Sequence, residues 1–96
     1  MRIRLTLAAR HDLVEIAKWV AKDNRKRALS LVNDLQASCR ALKDFPEAFP
    51  VVVAKDGMKV RRKVHGNFLI FYHILPKVVE VLYVRHGSRD SDSLFP

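Results

Sequence analysis

The sequence has few of the residues that build covalent or metal-based frameworks. It contains one cysteine, Cys39, in 96 residues, which excludes a disulfide framework and a cysteine-based structural zinc site. Its three glycines stand alone, so no glycine-rich phosphate-binding loop is present. No acidic residue lies at metal-ligand spacing from the histidines of the second half, and Ser88 belongs to no nucleophile motif. We therefore expect neither a metal nor any other cofactor.

Long hydrophobic runs are also absent. No apolar stretch approaches the roughly 20 residues that a helix needs to span a bilayer. The N-terminus starts with basic Arg2 and Arg4 but turns polar again at Arg10, which is too early for a secretory signal. We therefore expect no membrane partner and a reducing, cytoplasmic location.

Acidic residues are scarce relative to basic ones. The chain has 18 Lys and Arg against 10 Asp and Glu, a formal net charge of +8. Because 49% of the residues are hydrophobic, the chain has enough apolar surface for a core and is not a disordered basic tail. Its length predicts one domain, residues 1–96. By charge alone, the basic surplus suits any acidic or polyanionic partner, whether nucleic acid, an anionic membrane or an acidic protein, and of these we expect no membrane.

The hydrophobic pattern changes period along the chain. Alternation over residues 2–7 predicts a strand, and helical spacing follows from Ala8. Asn24 is a suitable cap for a second helix, which we expect to end near Asp44. Three further strands are predicted over 58–65, 67–75 and 78–84. The order β-α-α-β-β-β favours an α+β fold, with an N-terminal strand, an antiparallel helical hairpin and a three-stranded antiparallel meander, the helices packed on one face of the sheet.

The densest cluster of positive charge lies on the first strand of the meander. Side chains alternate along a strand, so Lys59, Arg61, Lys63 and His65 share one face, which we call the basic ridge. Arg62 is on the other, mainly apolar face. The ridge is either a solvated face that discourages edge pairing or an anion-binding surface. The second interpretation is favoured, because an Arg on a buried face usually has a partner.

A second basic cluster follows the last strand. It contains Arg85, His86 and Arg89 beside a glycine that permits a sharp exit from the sheet. Pairing of this strand near the basic ridge would merge the two clusters into one patch. The alternative is a charged C-terminal frame, in which Arg89 and Asp90 form a surface ion pair worth ~0–1 kcal/mol.

RNA cleavage is the enzymatic function to consider. It needs a base, an acid and cations that stabilise the developing charge on the phosphate. Cations are abundant, but only His86 or His65 could supply the acid–base pair. A third function is a basic nucleic-acid-binding module, although the sequence places no exposed aromatic stacking platform near the basic ridge.

Taken together, the order of elements and these residues resemble the RelE/ParE superfamily of bacterial toxins from type II toxin–antitoxin systems, over nearly the whole chain. The resemblance rests on segments 8–16, 61–64, 68–75 and 86–90, and on Leu35 and Leu42 in a helix that ends before Pro46. The segment His86-Gly87-Ser88-Arg89-Asp90 is more similar to ParE than to RelE.

The resemblance implies a toxin that binds DNA gyrase, stalls it on cleaved DNA and arrests growth, with an indirect DNA contact. Its groove would hold the acidic C-terminal segment of a ParD-like antitoxin in a hetero-oligomer. ParE-like members are binding inhibitors rather than enzymes. The alternative is a RelE-like ribosome-dependent mRNA endonuclease, in which a Tyr or His near the C-terminus contributes to catalysis. Here no Tyr follows Tyr83.

The same resemblance, with the charge pattern, implies which residues act. The residues expected to engage the target are Arg61, Arg62, Arg85, His86 and Arg89. If the chain is RelE-like, the catalytic residues would be Arg61, Arg85 and His86. The candidates for antitoxin contact on the helices are Leu13, Ile16, Trp19 and Leu35, and the hydrophobic core is their other interpretation.

Overall fold

A computed structural model describes residues 1–87 of the chain. The described chain contains two helices and five strands, in the order of one strand, two helices and then four strands. Their bounds are β1 Arg2–Leu5, α1 Leu7–Ala21, α2 Arg25–Arg40, β2 Val51–Lys55, β3 Met58–His65, β4 Phe68–Ile74 and β5 Val78–His86. The predicted α+β class and the order of strand, hairpin and meander are confirmed.

The five strands form one sheet in the order β1-β5-β4-β3-β2. Strands β2 to β5 are an antiparallel meander, and β1 pairs with β5 in parallel. The structure therefore has one strand more than the pattern predicted. The additional strand is β2, a run of valines directly after Pro50, which pairs with β3 at the edge of the sheet.

Side-chain caps fix where the two helices begin. Thr6 Oγ1 accepts a hydrogen bond from the backbone N–H of Ala9 at 3.0 Å, and Asn24 Oδ1 accepts one from Arg27 at 3.0 Å. Each cap satisfies a backbone donor that has no partner within the first turn. The predicted cap at Asn24 is confirmed. Helix α2 ends at Arg40, and a 3-10 turn over Ala41–Lys43 carries the chain to the predicted end of the helical region.

The core lies between the helices and one face of the sheet. Cys39 of α2 is fully buried there, and burial raises the pKa of its thiol to about 11, which suits the expected small core residue. Tyr72 is also buried, and its hydroxyl donates to the carbonyl oxygen of Pro46 at 2.5 Å. The other fully buried large side chains of this core are Leu35, Leu42, Ile70, Val79, Val81 and Val84. Val60 is equally buried but lies on the other face of the sheet. Neither helix in the described part of the chain is long and apolar enough to cross a membrane.

Candidate functional site

The basic ridge of β3 faces the helices. The Arg61 guanidinium donates to the carbonyl oxygens of Phe49 and Glu47 at 2.7 and 3.2 Å. The Lys63 ammonium donates to the carbonyl oxygen of Ser38 in the last turn of α2 at 2.8 Å, where a cation also suits the negative end of the helix dipole. Both side chains therefore hold the loop before β2 and the end of α2 against the sheet.

The prediction of an open basic ridge is thus wrong in one respect. Lys59, Arg61, Lys63 and His65 do share a face, but of these four only Lys59 is exposed. The reason is the register of β3, which pairs Arg61 with the buried Tyr72 and so turns that face toward the helices. Two of the four cationic side chains are consequently half-buried and used by backbone carbonyls.

Arg62 lies on the opposite face of the sheet, which we call the outer face because neither helix packs on it. It pairs in register with Phe71 of β4, which pairs with Tyr83 of β5. Arg85 is on the outer face as well, since its neighbour Val84 points into the core. Arg62 and Arg85 therefore share the outer face, but β4 lies between their strands, so the two basic clusters do not merge.

A carboxylate from α1 anchors this end of β5. Strand β1 stops pairing with β5 at Val81, which leaves the next backbone donors along the β5 edge without a strand partner. Asp12 takes that place, because its Oδ2 accepts from the Val84 N–H at 3.0 Å. Its Oδ1 accepts from Arg85 Nη1 at 2.8 Å, and Arg85 also lies over the Tyr83 ring at 4.9 Å. Asp12 therefore orients Arg85.

Burial controls the protonation of Asp12. Its side chain is 7% exposed, and desolvation raises the pKa of the carboxyl, against the opposing effects of the Val84 hydrogen bond and the Arg85 charge. The sequence analysis did not single out Asp12. Its signal is position, since it occupies the apolar stripe of α1 between Ala9 and Ile16 at helical spacing.

Three rings meet where α1 passes the end of β5. His86 packs edge-on against Phe68 at 5.3 Å and against Trp19 at 6.3 Å between ring centroids. Trp19 is 57% exposed. His65 pairs in register with Phe68, so both candidate histidines belong to one row of the sheet. We call Asp12, Trp19, Arg85 and His86 the α1–β5 surface.

A groove opens on the other side of α1. It has a volume of about 770 Å³, and its apolar lining includes Val14, Ala17 and Val32. We call it the β1 groove because Arg2 and Arg4 of β1 line it, together with Arg10 of α1. These three arginines are exposed. The groove therefore combines an apolar floor with a cationic rim.

The backbone beside the groove also offers hydrogen bonds. The N–H groups of Arg2 and Thr6 donate toward β5 at 3.3 and 3.0 Å. Because successive backbone groups of a strand point to opposite sides, those of Ile3 and Leu5 point away from β5. Strand β1 is an edge of the sheet within the described residues, so this side is open to a further strand.

Comparison with known proteins decides the family. The sequence model of one protein family, described as the ParE toxin of type II toxin-antitoxin system, parDE, matches residues 3–91. The chain belongs to the ParE toxin family. This match confirms the resemblance to the RelE/ParE superfamily and identifies ParE as the family within it. A search of curated protein sequences finds no significant match.

Solved structures agree on the fold. The toxin is similar to a chain of the chromosomal ParDE toxin–antitoxin system from P. aeruginosa, with 18% identity and a TM-score of 0.73, covering 90% of this chain and 95% of that one. It is less similar to a chain of the archaeal RelE–RelB complex from Pyrococcus horikoshii OT3, with 17% identity and a TM-score of 0.52, covering 92% and 96%. At these identities the likeness shows a shared fold.

The residues expected to contact an antitoxin are distributed over three places in the ParE-family fold. Leu13 lines the β1 groove although it is largely buried, and Leu35 is fully buried in the core. Ile16 packs against the core, and Trp19 belongs to the α1–β5 surface. The expectation is therefore unsupported for Leu35, whose side chain does not reach the surface. The sequence analysis missed the groove residue Val14, whose signal is an apolar side chain off the core stripe of α1.

Of the residues expected to engage the target, Arg85 and His86 occupy consecutive positions of β5 and point to opposite faces, Arg85 outward to Asp12 and His86 toward Phe68 and Trp19. Arg61 lies on the helix-facing side with its guanidinium on backbone carbonyls, and Arg62 lies on the outer face. Arg89 is outside the described residues. Within residues 1–87, no group of three His, Cys, Asp or Glu side chains could hold a metal ion.

A cross-strand cluster on the outer face gives the toxin a testable pH dependence. Glu80 accepts hydrogen bonds from Arg4 at 2.9 Å and from His73 at 2.8 Å. The His73 contact, with Arg4, lowers the pKa of Glu80 despite some desolvation. A carboxylate with a lowered pKa stabilises the fold above its unfolded pKa, and this stabilisation disappears as the pH falls through the folded pKa.

Glu80→Gln is therefore expected to lower the free energy of unfolding at pH 7 by about 0.5–1 kcal/mol, because its partner Arg4 is exposed to solvent. Urea unfolding of the wild type and the variant should show this difference shrinking as the pH is lowered below the pKa of an ordinary Glu side chain. A difference that is constant with pH would contradict the assignment.

Proposed function

We propose that this ParE-family toxin acts in the cytoplasm by binding DNA gyrase, stalling it on cleaved DNA and so arresting growth. Family membership over residues 3–91 supports the target class. The observation that carries the proposal is the α1–β5 surface, where Asp12 of α1 fixes Arg85 and the exposed Trp19 of the same helix packs against His86. Trp and Arg are typical of the residues that dominate protein–protein binding energy, and here the Arg is already held in place by Asp12.

An antitoxin is the second partner in the proposal, and the β1 groove is its binding site. An extended segment added beside β1 would pair with the outward backbone groups of Ile3 and Leu5. Its apolar side chains would fill the groove, and its carboxylates would meet Arg2 and Arg10 at the rim. The net charge of +8 suits such an acidic segment.

The two proposed sites lie on different sides of α1. At 100° per residue, Trp19 is about 160° around the helix from Ala17. Antitoxin in the β1 groove and gyrase at the α1–β5 surface would therefore not contact the same side chains. Neutralisation would then result from the bulk of the antitoxin or from a change in the helical hairpin.

A supercoiling assay tests the gyrase proposal. Purified gyrase, ATP and relaxed plasmid are incubated with the toxin, and linear DNA is measured after detergent and protease. We expect linear DNA to rise with toxin, to vanish with antitoxin, and to fall at least 10-fold with Arg85→Ala. Lys77→Ala, which removes an exposed cation at the β4–β5 turn, is the matched control and should behave as wild type.

Normal supercoiling with a large excess of folded toxin would contradict this proposal. The RelE-like alternative would then be tested with translating ribosomes and mRNA, where loss of cleavage in His86→Ala would support it. We rank this alternative second for two reasons. The likeness to the archaeal RelE chain is weaker, and the Arg61 guanidinium, a candidate catalytic group, is already hydrogen-bonded to backbone carbonyls.

A further inference from the structure

The outer face carries an arginine that no described residue uses. Arg62 is only partly exposed, and its Nε is buried without a hydrogen-bond partner. No hydrogen bond or ion pair of its guanidinium is formed within residues 1–87. Burying a charge without a partner costs free energy. Arg62 is therefore a cation held ready for an anion that comes from outside this part of the chain.

Arg85 offers a second set of donors on the same face. Asp12 accepts from its Nη1, but its Nε is buried and has no hydrogen-bond partner. Because this Nε is buried, the donors left for an oxyanion from outside are those of the second amino nitrogen, Nη2. The contact with Asp12 and the position over the Tyr83 ring restrain this guanidinium before any ligand arrives.

The sheet sets the distance between the two arginines. Neighbouring strands are about 4.8 Å apart, and Arg85 lies two residues along β5 from Tyr83, which is in the row of Arg62, so the backbones of Arg62 and Arg85 are about 12 Å apart. Phe71 and Tyr83 fill the space between them on this face.

We propose that Arg62 and Arg85 form a site for backbone phosphates of DNA, so that the toxin contacts DNA directly. Each arginine keeps an amino nitrogen without a hydrogen-bond partner in residues 1–87, and the net charge of +8 favours a polyanion such as DNA. This inference adds a DNA contact to the proposed gyrase function. The two can fail separately, because DNA binding is measured without gyrase.

The test measures fluorescence anisotropy of a labelled 20-base-pair DNA duplex with the full chain at several salt concentrations. We expect Arg62→Gln to weaken binding about 10-fold and to reduce the slope of log affinity against log salt by about one. Arg62→Lys, which keeps the charge but not the paired donors, should lie between. Lys55→Gln, which removes an exposed cation at the end of β2, should change binding less than twofold.

Two competitors distinguish the chemistry. Tripolyphosphate should displace the duplex from wild type more effectively than from Arg62→Gln, and poly-glutamate of equal charge should not distinguish the two. The inference is overturned if Arg62→Gln and Lys55→Gln weaken DNA binding equally, if poly-glutamate shows the preference instead, or if wild type does not bind. Thermal unfolding should show that Arg62→Gln remains folded, because the side chain it removes has no described partner.

If the toxin poisons gyrase but fails this assay, the proposed function stands and the phosphate site does not. If it binds DNA through Arg62 but leaves gyrase unaffected, the phosphate site stands and the gyrase proposal falls.

Discussion

Replacing Asp12 by alanine is expected to lower the free energy of unfolding by about 2–4 kcal/mol, whereas asparagine should cost less than about 1 kcal/mol. Alanine leaves the buried Val84 N–H without an acceptor at the edge of β5, and it also removes the charge that faces Arg85. Arg85 is about one-third exposed, so water compensates part of that second loss. The unsatisfied N–H is the larger contribution.

Asparagine is expected to be mild because ionised Asp12 is not an optimal group for its site. Burial raises its pKa, which means that the fold favours the uncharged form. The side-chain carbonyl of Asn can still accept from Val84, so the edge of β5 stays satisfied. What asparagine loses is the charge that holds Arg85, and Asp12→Asn should therefore retain stability while weakening toxicity in the supercoiling assay.

The sign of the pH dependence distinguishes the effect of Asp12 on stability from that of Glu80. A raised folded pKa means that the folded state binds more protons, so the wild type loses stability as the pH rises from the unfolded to the folded pKa. Relative to Asp12→Asn, the wild type should therefore gain stability as the pH is lowered. Glu80 has the opposite sign, because its pKa is lowered.

Urea unfolding at pH 7 and at mildly acidic pH measures both effects. Glu15→Ala is a suitable control, since it removes an exposed carboxylate of the same helix and should cost less than about 0.5 kcal/mol. Equal destabilisation by Asp12→Ala and Asp12→Asn would show that the Val84 contact contributes little, which would contradict the role assigned to Asp12.

The helices illustrate how far local pattern determines this fold. Asn24 and the polar break before it end one hydrophobic stripe and begin another, and the cap forms as expected. These features depend on neighbours within four residues. The edge strand β2 depends instead on pairing with β3, and its valines lie between Pro50 and a turn, where a loop is an equally reasonable local interpretation.

The orientation of β3 shows why the site was harder to predict. Alternation correctly divides Arg61 and Arg62 between two faces, but it contains no information about which face the helices cover. That choice follows from pairing with β4, whose Tyr72 is buried opposite Arg61. The face bearing more charge therefore became the covered one, because Arg61 and Lys63 are long enough to reach backbone carbonyls.

Asp12 and the β1 groove were missed for a related reason. Each depends on elements distant in sequence: Asp12 meets Val84 across 72 positions, and the groove needs β1 in parallel with β5. A carboxylate within an apolar stripe and a valine outside it were the available signals. Both residues mark places where the hairpin meets the sheet.

A negative charge placed in the β1 groove is expected to weaken antitoxin binding strongly. Val14→Glu is expected to weaken antitoxin binding at least 100-fold, corresponding to about 2.7 kcal/mol, while toxicity without antitoxin stays near wild type. The substitution removes an apolar contact from the groove and adds a negative charge facing an acidic segment. The new carboxylate would also lie one turn from Arg10, where it would engage a rim cation that the antitoxin would otherwise bind.

The variant should fold, because Val14 is 50% exposed. Leu29→Glu is the matched control: Leu29 is 71% exposed on α2 and does not line the groove. Calorimetric titration with the cognate antitoxin gives the affinities, and the supercoiling assay shows whether antitoxin still suppresses linear DNA. If Val14→Glu binds antitoxin as tightly as Leu29→Glu does, the antitoxin lies elsewhere. The exposed Trp19 would then be the next position to substitute, because it is the large apolar side chain of the α1–β5 surface and lies about 160° around the helix from the groove residue Ala17.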